Sequence, residues 1–266
     1  MAELQRGMVE SYVEGFQANG HLTFRASDIV DLVHAPRGVT EALRRLQSAG
    51  KVVRISKKSD FFIIIPPEFR AMGAPPVDWW LGDLMRHLRL SYHVGLMTAA
   101  AWHGSSHFAL METQVVTSVN HKPFRVGRTM IRFFASATVV AAPIERRSSQ
   151  WGTVNVATPA TTLVDIAEHR GFGANRLAMV ATDIMPKLDT SGLVAALDAS
   201  GLIPTAQRIG YVLESLGADG LAREVEKWIG GLPIRTIPLD PGAPMKSKVA
   251  SRWRVDENAD MEIGAS

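Results

Sequence analysis

The stretch from Ser27 to Pro67 constrains this chain more than any other. Ser27-Asp28-Ile29-Val30-Asp31-Leu32-Val33 carries a helix-start signal and one short apolar face. His34-Ala35-Pro36 interrupts it, because proline lacks an N–H and disfavours a helical residue before it. A second helix is predicted over residues 37–49, closed by Gly50, a residue suited to a left-handed cap. In it Val39, Ala42, Leu43 and Leu46 fall on one side at helical spacing. At about 100° per residue, Arg37, Glu41, Arg44 and Ser48 point the opposite way, flanked by Thr40 and Arg45. Val52-Val53-Arg54-Ile55 and Phe61-Phe62-Ile63-Ile64-Ile65 are strand-like, joined by the polar turn Ser56-Lys57-Lys58-Ser59-Asp60. Helix, turn, helix and hairpin in this order predict a winged helix-turn-helix.

The charge of the same stretch points to DNA. Arg37, Arg44, Arg45, Lys51, Arg54, Lys57 and Lys58 stand against one acid, Glu41, between positions 37 and 58. Cations on a helix face and a hairpin tip neutralise phosphates and release counterions from the duplex. The predicted DNA-binding residues are Arg37, Thr40, Glu41, Arg44, Arg45, Arg54, Lys57 and Lys58. The competing reading is a solvated basic face; the coincidence of charge with motif favours the nucleic-acid one. Net charge is only +3, so the basic character is local and not that of a general polyanion binder.

The 266 residues suffice for two domains,. The absence of cysteine excludes disulfides, thiolate zinc sites and thiol catalysis,. No apolar run approaches the roughly 18 residues of a membrane helix, and no signal-peptide core follows the first residues. A cytoplasmic protein without membrane contact is expected.

Ahead of the reading head, Leu4, Met8, Tyr12, Val13 and Phe16 share a helical face, and His21-Leu22-Thr23-Phe24-Arg25 alternates as a short strand able to pair with the wing. After it, residues 68–76 shift to Gly, Ala and Pro, the composition of a linker. Residues 77–88, with Trp79 and Trp80, read as an amphipathic helix docking two domains. The expected division is 1–67, a winged helix-turn-helix; 68–90, a linker and docking helix; and 91–266, a mixed α/β domain, so the fold class is α+β. In the last part, residues 113–119, 129–134 and 152–157 are strand candidates, and residues 120–128 and 146–149 are read as a basic loop and a basic turn. Thr158-Pro159 opens a helix with a capping hydroxyl and proline at the first helical position. Helical periodicity continues over 175–185, 190–200, 205–216 and 218–229, residues 231–244 are loop-like, and residues 252–255 read as a closing strand.

Three stretches carry a resemblance to a known family. They are the winged helix running into Ile65-Pro66-Pro67; Trp79-Trp80-Leu81-Gly82-Asp83-Leu84-Met85 with Tyr92-His93-Val94-Gly95-Leu96-Met97-Thr98-Ala99-Ala100-Ala101-Trp102-His103-Gly104; and Thr158-Pro159-Ala160-Thr161-Thr162-Leu163-Val164-Asp165 with Gln207-Arg208-Ile209-Gly210-Tyr211. The chain resembles the AbiEi family of antitoxins, the repressor half of bacterial type IV toxin–antitoxin pairs tied to abortive phage infection, over nearly its whole length down to Trp253 and Asn258. Ala160 and His93 depart from the family's usual residues. The resemblance implies a DNA-binding N-terminal domain, a C-terminal domain needed for antitoxin activity, and autorepression through promoter repeats, expected to be inverted. It also implies a nucleotidyltransferase toxin, counteracted without a stable complex.

No enzyme, cofactor or metal is predicted. His103 and His107 are spaced as helix ligands, but Gly104 ends the helix between them, and only Glu112 lies near as a carboxylate. Gly104-Ser105 resembles the start of a nucleotidyltransferase motif, yet the paired carboxylates that chemistry needs do not follow; Asp260-Met261-Glu262 is far away. The chain is therefore not the toxin. There is no phosphate-binding glycine motif, no nucleophile elbow and no carboxylate-x-lysine pair of a nuclease. Lys122, Arg125, Arg128, Arg132, Arg146 and Arg147 form a possible second basic surface, for toxin neutralisation or further DNA contact. Two alternative functions are a winged-helix regulator with a ligand-sensing α/β domain, and an RNA-binding protector of the toxin's substrate.

Overall fold

The computed structural model describes residues 2–105, 112–250 and 252–261. The N-terminal part runs α1 (Ala2–Ala18), β1 (Thr23–Arg25), α2 (Ala26–Val33), α3 (Pro36–Ser48), β2 (Val52–Arg54) and β3 (Phe61–Ile64). The strands form an antiparallel sheet in the order β1-β3-β2. The central strand β3 is buried along its whole length. Strand side chains alternate between faces, and here both faces are covered. Phe62 and Ile64 pack with Val9, Val13, Ile29, Leu43 and Leu46 of the three helices. Phe61 and Ile63 pack with Trp80, Leu81, Leu84 and Met85 from the next segment. That is why residues 61–65 are uninterruptedly apolar instead of alternating.

The Gly/Ala/Pro segment 68–76 is not slack. A short 3-10 turn over Pro67–Phe69 leads to Gly73, whose position leaves a Cβ only 3.0 Å from the backbone of Gly127. Gly127 has φ +56, and a Cβ there would lie 2.5 Å from the Met72 carbonyl oxygen. The Arg128 N–H donates to that oxygen at 3.1 Å. A second 3-10 turn, Val77–Trp79, precedes α4 (Leu81–Leu88). Trp80 is 1% exposed and its Nε1–H donates to the Pro75 carbonyl at 3.1 Å. Trp79 is half-buried against Phe69 and Trp151.

The remainder continues with β4 (Tyr92–Val94), α5 (Leu96–Trp102), β5 (Glu112–Thr117), β6 (Phe124–Val126), β7 (Thr129–Ala135), β8 (Ile144–Ser148), β9 (Thr153–Ala157), α6 (Pro159–Glu168), α7 (Ala174–Ile184), α8 (Thr190–Ser200), α9 (Ile203–Ser215), α10 (Asp219–Ile229), β10 (Ile237–Pro238), β11 (Val249–Ala250) and β12 (Val255–Asp256). The fold is α+β. A mixed six-stranded sheet has the order β6-β7-β5-β4-β9-β8. One face, carrying Val94, Val115, Ile131 and Val154, meets α4 and β3. The other, carrying Val116, meets α5–α10. β10, β11 and β12 make a small separate sheet.

A buried polar knot joins β4, β5, α5 and α6. His93 Nε2 and Asp165 Oδ2 lie 2.9 Å apart. The Gly95 N–H donates to the Gln114 carbonyl at 3.1 Å, the Gln114 Oε1 accepts from the Met97 N–H at 2.9 Å, and Thr98 Oγ1 accepts from the Gln114 N–H at 2.9 Å. A Cβ at Gly95 would stand 2.6 Å from Asp165 Oδ2, so glycine is what lets the two elements close,. Gly210 serves α9 in the same way: its Cβ would fall 2.1 Å from the Trp253 indole.

Several elements differ from expectation. α2 starts at Ala26, one residue before Ser27; Asp28 Oδ2 accepts from the Arg25 N–H at 3.3 Å, and Ser27 Oγ donates instead to Asp60 at 3.1 Å. In α1 Val9 is buried and Met8 is 46% exposed, so the packed face is turned from the predicted one; the Leu4 side chain lies outside the described residues. β4 and β6 are three-residue strands too short to be read from periodicity. Arg146, Arg147 and Ser148 belong to strand β8, not to a turn. Residues 252–254 turn, and the closing strand is β12 beside β11.

Trp80→Ala should destabilise the protein by about 3–5 kcal/mol, the cost of deleting a buried large aromatic side chain. Because the seam joins β3 to the large sheet, denaturant unfolding of the variant should lose the single cooperative transition expected of wild type. A loss under about 1 kcal/mol would contradict the seam's role.

Candidate nucleic-acid interface

Sequence and packing together orient α3. Pro36 occupies the first helical position and Gly50, at φ +65, turns the chain back towards β2,. Val39, Ala42, Leu43 and Leu46 are buried, so Arg37, Thr40, Glu41, Arg44, Arg45 and Ser48 are left in solvent. The Thr40 hydroxyl donates to the Pro36 carbonyl at 2.9 Å, and Ser48 to the Arg44 carbonyl at 3.0 Å. Arg45 and Glu41 approach to 3.8 Å across one turn. Among the described residues, neither Arg37 nor Arg44 has an ion-pair partner. These two guanidiniums are the available bidentate donors of the face.

The hairpin beside α3 is shaped by its own residues. Arg54 donates through Nε to the Ser59 carbonyl, and its guanidinium lies 5.6 Å from the Phe62 ring. It is half-buried, so it braces the turn more than it projects from it. Lys57 and Lys58 are exposed at the tip. The turn is fastened at Asp60, whose carboxylate accepts from Arg25 Nε at 3.2 Å and Ser27 Oγ at 3.1 Å and lies 3.4 Å from His87 Nε2. Sequence reasoning left Asp60 and His87 out, because both owe their role to elements remote in the chain.

The six cations of the second expected surface do not meet. Arg125 lies on β6, Arg128 follows it, and Arg132 is on β7. β6 is one edge of the large sheet and β8, with Arg146 and Arg147, is the other. Five strand spacings of about 4.8 Å separate them by roughly 24 Å. Arg132 pairs with Glu112 at 2.7 Å, Arg125 donates to the Arg128 carbonyl at 3.2 Å, and Arg147 covers the Trp102 ring at 4.9 Å. Lys122 instead approaches the hairpin: it lines one cleft together with Lys58.

His103 is committed to structure. Its Nε2 lies 2.7 Å from the Ala157 carbonyl, and its own carbonyl accepts from Lys187 Nζ at 2.5 Å. Ser106, His107 and Glu262 lie outside the described residues. Among the described residues no group of three His, Cys, Asp or Glu side chains could hold a metal ion. Nor is any helix among them long and apolar enough to cross a membrane.

The Asp60 carboxyl is pushed up by desolvation, but the hydrogen bonds from Arg25 and Ser27 and the charges of Arg25 and His87 outweigh it, and the net shift is downward. Stabilisation from a lowered carboxylate is complete above its unfolded pKa of about 4 and is lost as pH falls through the folded value. Asp60→Asn should therefore be less stable than wild type near neutral pH, by no more than about 1 kcal/mol at this partly exposed site. The two should converge once the pH has fallen through the folded value. A stability gap that persists in acid would mean that the carboxylate charge is not what fastens the turn.

Residues 93–215 match the family model of the AbiEi antitoxin C-terminal domain. The chain is also similar to the crystal structure of the RV2827C protein from Mycobacterium tuberculosis, with a TM-score of 0.63 and 16% identity, over 94% of this chain and 90% of that one. At that identity the likeness concerns the fold. No curated protein matches the chain.

Proposed function

The chain carries an AbiEi antitoxin C-terminal domain, that of an antitoxin in a toxin–antitoxin system, and on that premise we propose that it is also a sequence-specific DNA-binding autorepressor. The observation that carries this reading is the exposed face of α3, where Arg37 and Arg44 have no ion-pair partner among the described residues, with Lys57 and Lys58 at the neighbouring hairpin tip. We read residues 1–67 as a winged helix-turn-helix, α3 as its recognition helix and the hairpin as its wing. α3 would lie in the major groove of promoter repeats, with arginines donating to guanine edges. The wing lysines would contact phosphate.

An antitoxin implies a toxin partner, and we take that partner to be a nucleotidyltransferase encoded beside this chain. The AbiEi antitoxin family is not an enzyme family, and the proposed action is binding, not catalysis. For suppression of toxicity we assign a role to the β6-edge group, Arg125, Arg128 and Arg132. The β8 pair, Arg146 and Arg147, is a separate patch.

The DNA reading is tested by titrating the chain's own promoter and a random duplex across a salt series. Arg44→Ala should lose about 1–3 kcal/mol of discrimination between the two, as expected for one bidentate contact. Equal weakening on both duplexes would remove its base-reading role. Lys57→Ala with Lys58→Ala should lower the slope of log affinity against log salt by about 0.9 per lost phosphate contact. An unchanged slope would take the wing off the duplex.

The antitoxin assignment is tested by replacing Arg125, Arg128 and Arg132 with serine. Growth rescue from the toxin should fall while thermal stability stays near wild type, since exposed cations contribute little singly. Full rescue together with full promoter repression would leave these arginines without the proposed role.

A further inference from the structure

A cleft of about 690 Å³ opens between the hairpin and the large sheet. Its walls come from three parts of the chain distant in sequence. Ile55, Ser56, Lys58 and Asp60 line it from the hairpin, His87 and Leu88 from the end of α4, and Lys122, Phe124 and Phe133 from the β6-edge of the sheet. The aromatic side of the cleft is continuous, with Phe124 and Phe133 ring centres 5.8 Å apart and the His121 ring 5.4 Å from Phe133. Most of its exposed surface is apolar, and its volume falls within the roughly 300–1,000 Å³ of small-molecule sites,.

Charge distinguishes this cleft from an ordinary packing groove. Lys58 and Lys122 are exposed, line the same space from its two sides, and have no ion-pair partner among the described residues. The one carboxylate in the lining, Asp60, is occupied by Arg25, Ser27 and His87. Two such cations over an aromatic floor suit a ligand with an anionic end and a flat ring whose face can stack. In a duplex the bases are paired and stacked on one another, so they offer no free face to the cleft's aromatic floor. A free mononucleotide offers both features at once, because its base can stack on an aromatic side chain while its phosphate meets the lysines.

We propose that this cleft is a binding site for a nucleoside monophosphate, held by Lys58 and Lys122 through its phosphate and by Phe124, backed by the buried Phe133, through its base. Because Lys58 stands at the hairpin tip, an occupied cleft withdraws that cation from DNA and weakens operator binding. This second consequence rests on the DNA-binding reading; occupancy of the cleft does not.

The test is calorimetric titration of the full chain, without DNA, with AMP, GMP, CMP and UMP up to millimolar concentration. At least one should bind saturably and one-to-one. Lys58→Glu and Lys122→Glu should each weaken that binding about tenfold or more, and Phe124→Ala should weaken it too, while Arg223→Glu on α10 leaves it unchanged. Four outcomes overturn the site: no saturable binding of any of the four, binding indifferent to both lysine reversals, binding indifferent to Phe124→Ala, or inorganic phosphate bound as tightly as the nucleotide. A loss of operator affinity in Lys122→Glu without nucleotide binding would assign that lysine to the duplex instead. Nucleotide binding that leaves operator affinity untouched would keep the site and remove only its coupling to DNA.

Discussion

Two of the molecule's hydrophobic cores meet on a strand that has no solvent face. β3 places Phe62 and Ile64 against the helices of the N-terminal part and Phe61 and Ile63 against Trp80, Leu81, Leu84 and Met85. Burying a side chain of this size stabilises by roughly 1.5–3 kcal/mol relative to exposure. Four of them on two faces make the strand a shared wall between two cores. The hairpin is consequently packed against the large sheet through β3, and its tip, with Lys57 and Lys58, faces solvent beside the β6 edge. An N-terminal part tied this way shares its core with the domain behind it and is not a module on a tether.

Close backbone approach supports that wall from behind. Gly73 and Gly127 bring the segment before α4 onto the β6–β7 corner, and Gly82 lets α4 approach β9, where a Cβ would stand 2.2 Å from the Thr153 carbonyl oxygen. Deeper in, Gly95 gives room for the His93–Asp165 pair, and Gly210 for Trp253. At Gly82, Gly95, Gly127 and Gly210 a side chain would collide with a polar group or a ring. The buried knot is fastened rather than merely filled: Gln114 takes or gives hydrogen bonds to α5 on both its backbone and side chain. Such networks specify one arrangement because the alternatives leave buried polar groups unpaired.

The basic residues divide into unlike kinds once the sheet order is known. Arg37 and Arg44 are exposed on α3 without an ion-pair partner among the described residues; Arg54 braces its own turn; Arg132 and Arg147 are engaged with Glu112 and Trp102. Similar charges are thus exposed on α3, brace a turn, or pack against a carboxylate or a ring. Sequence spacing could not sort them, since partners such as Glu112 for Arg132 lie twenty positions away. The meeting of Lys58 with Lys122 is likewise created by folding alone.

The sequence by itself determined the local elements. The turn at His34-Ala35-Pro36, the buried stripe of α3, the polar hairpin tip and the four C-terminal helices were legible because each follows from periodicity, proline and glycine within a few residues. The resemblance of residues 79–104 and 158–165 to the AbiEi family was legible too, although the reason for those residues was not. Only tertiary structure decided that Gly95 and Asp165 meet, that β4 and β6 are strands, and that Arg146 stands across the sheet from Arg125. Strands of three residues have too few side chains to show a period, and sheet order is set by pairings between distant segments whose closure no local pattern encodes.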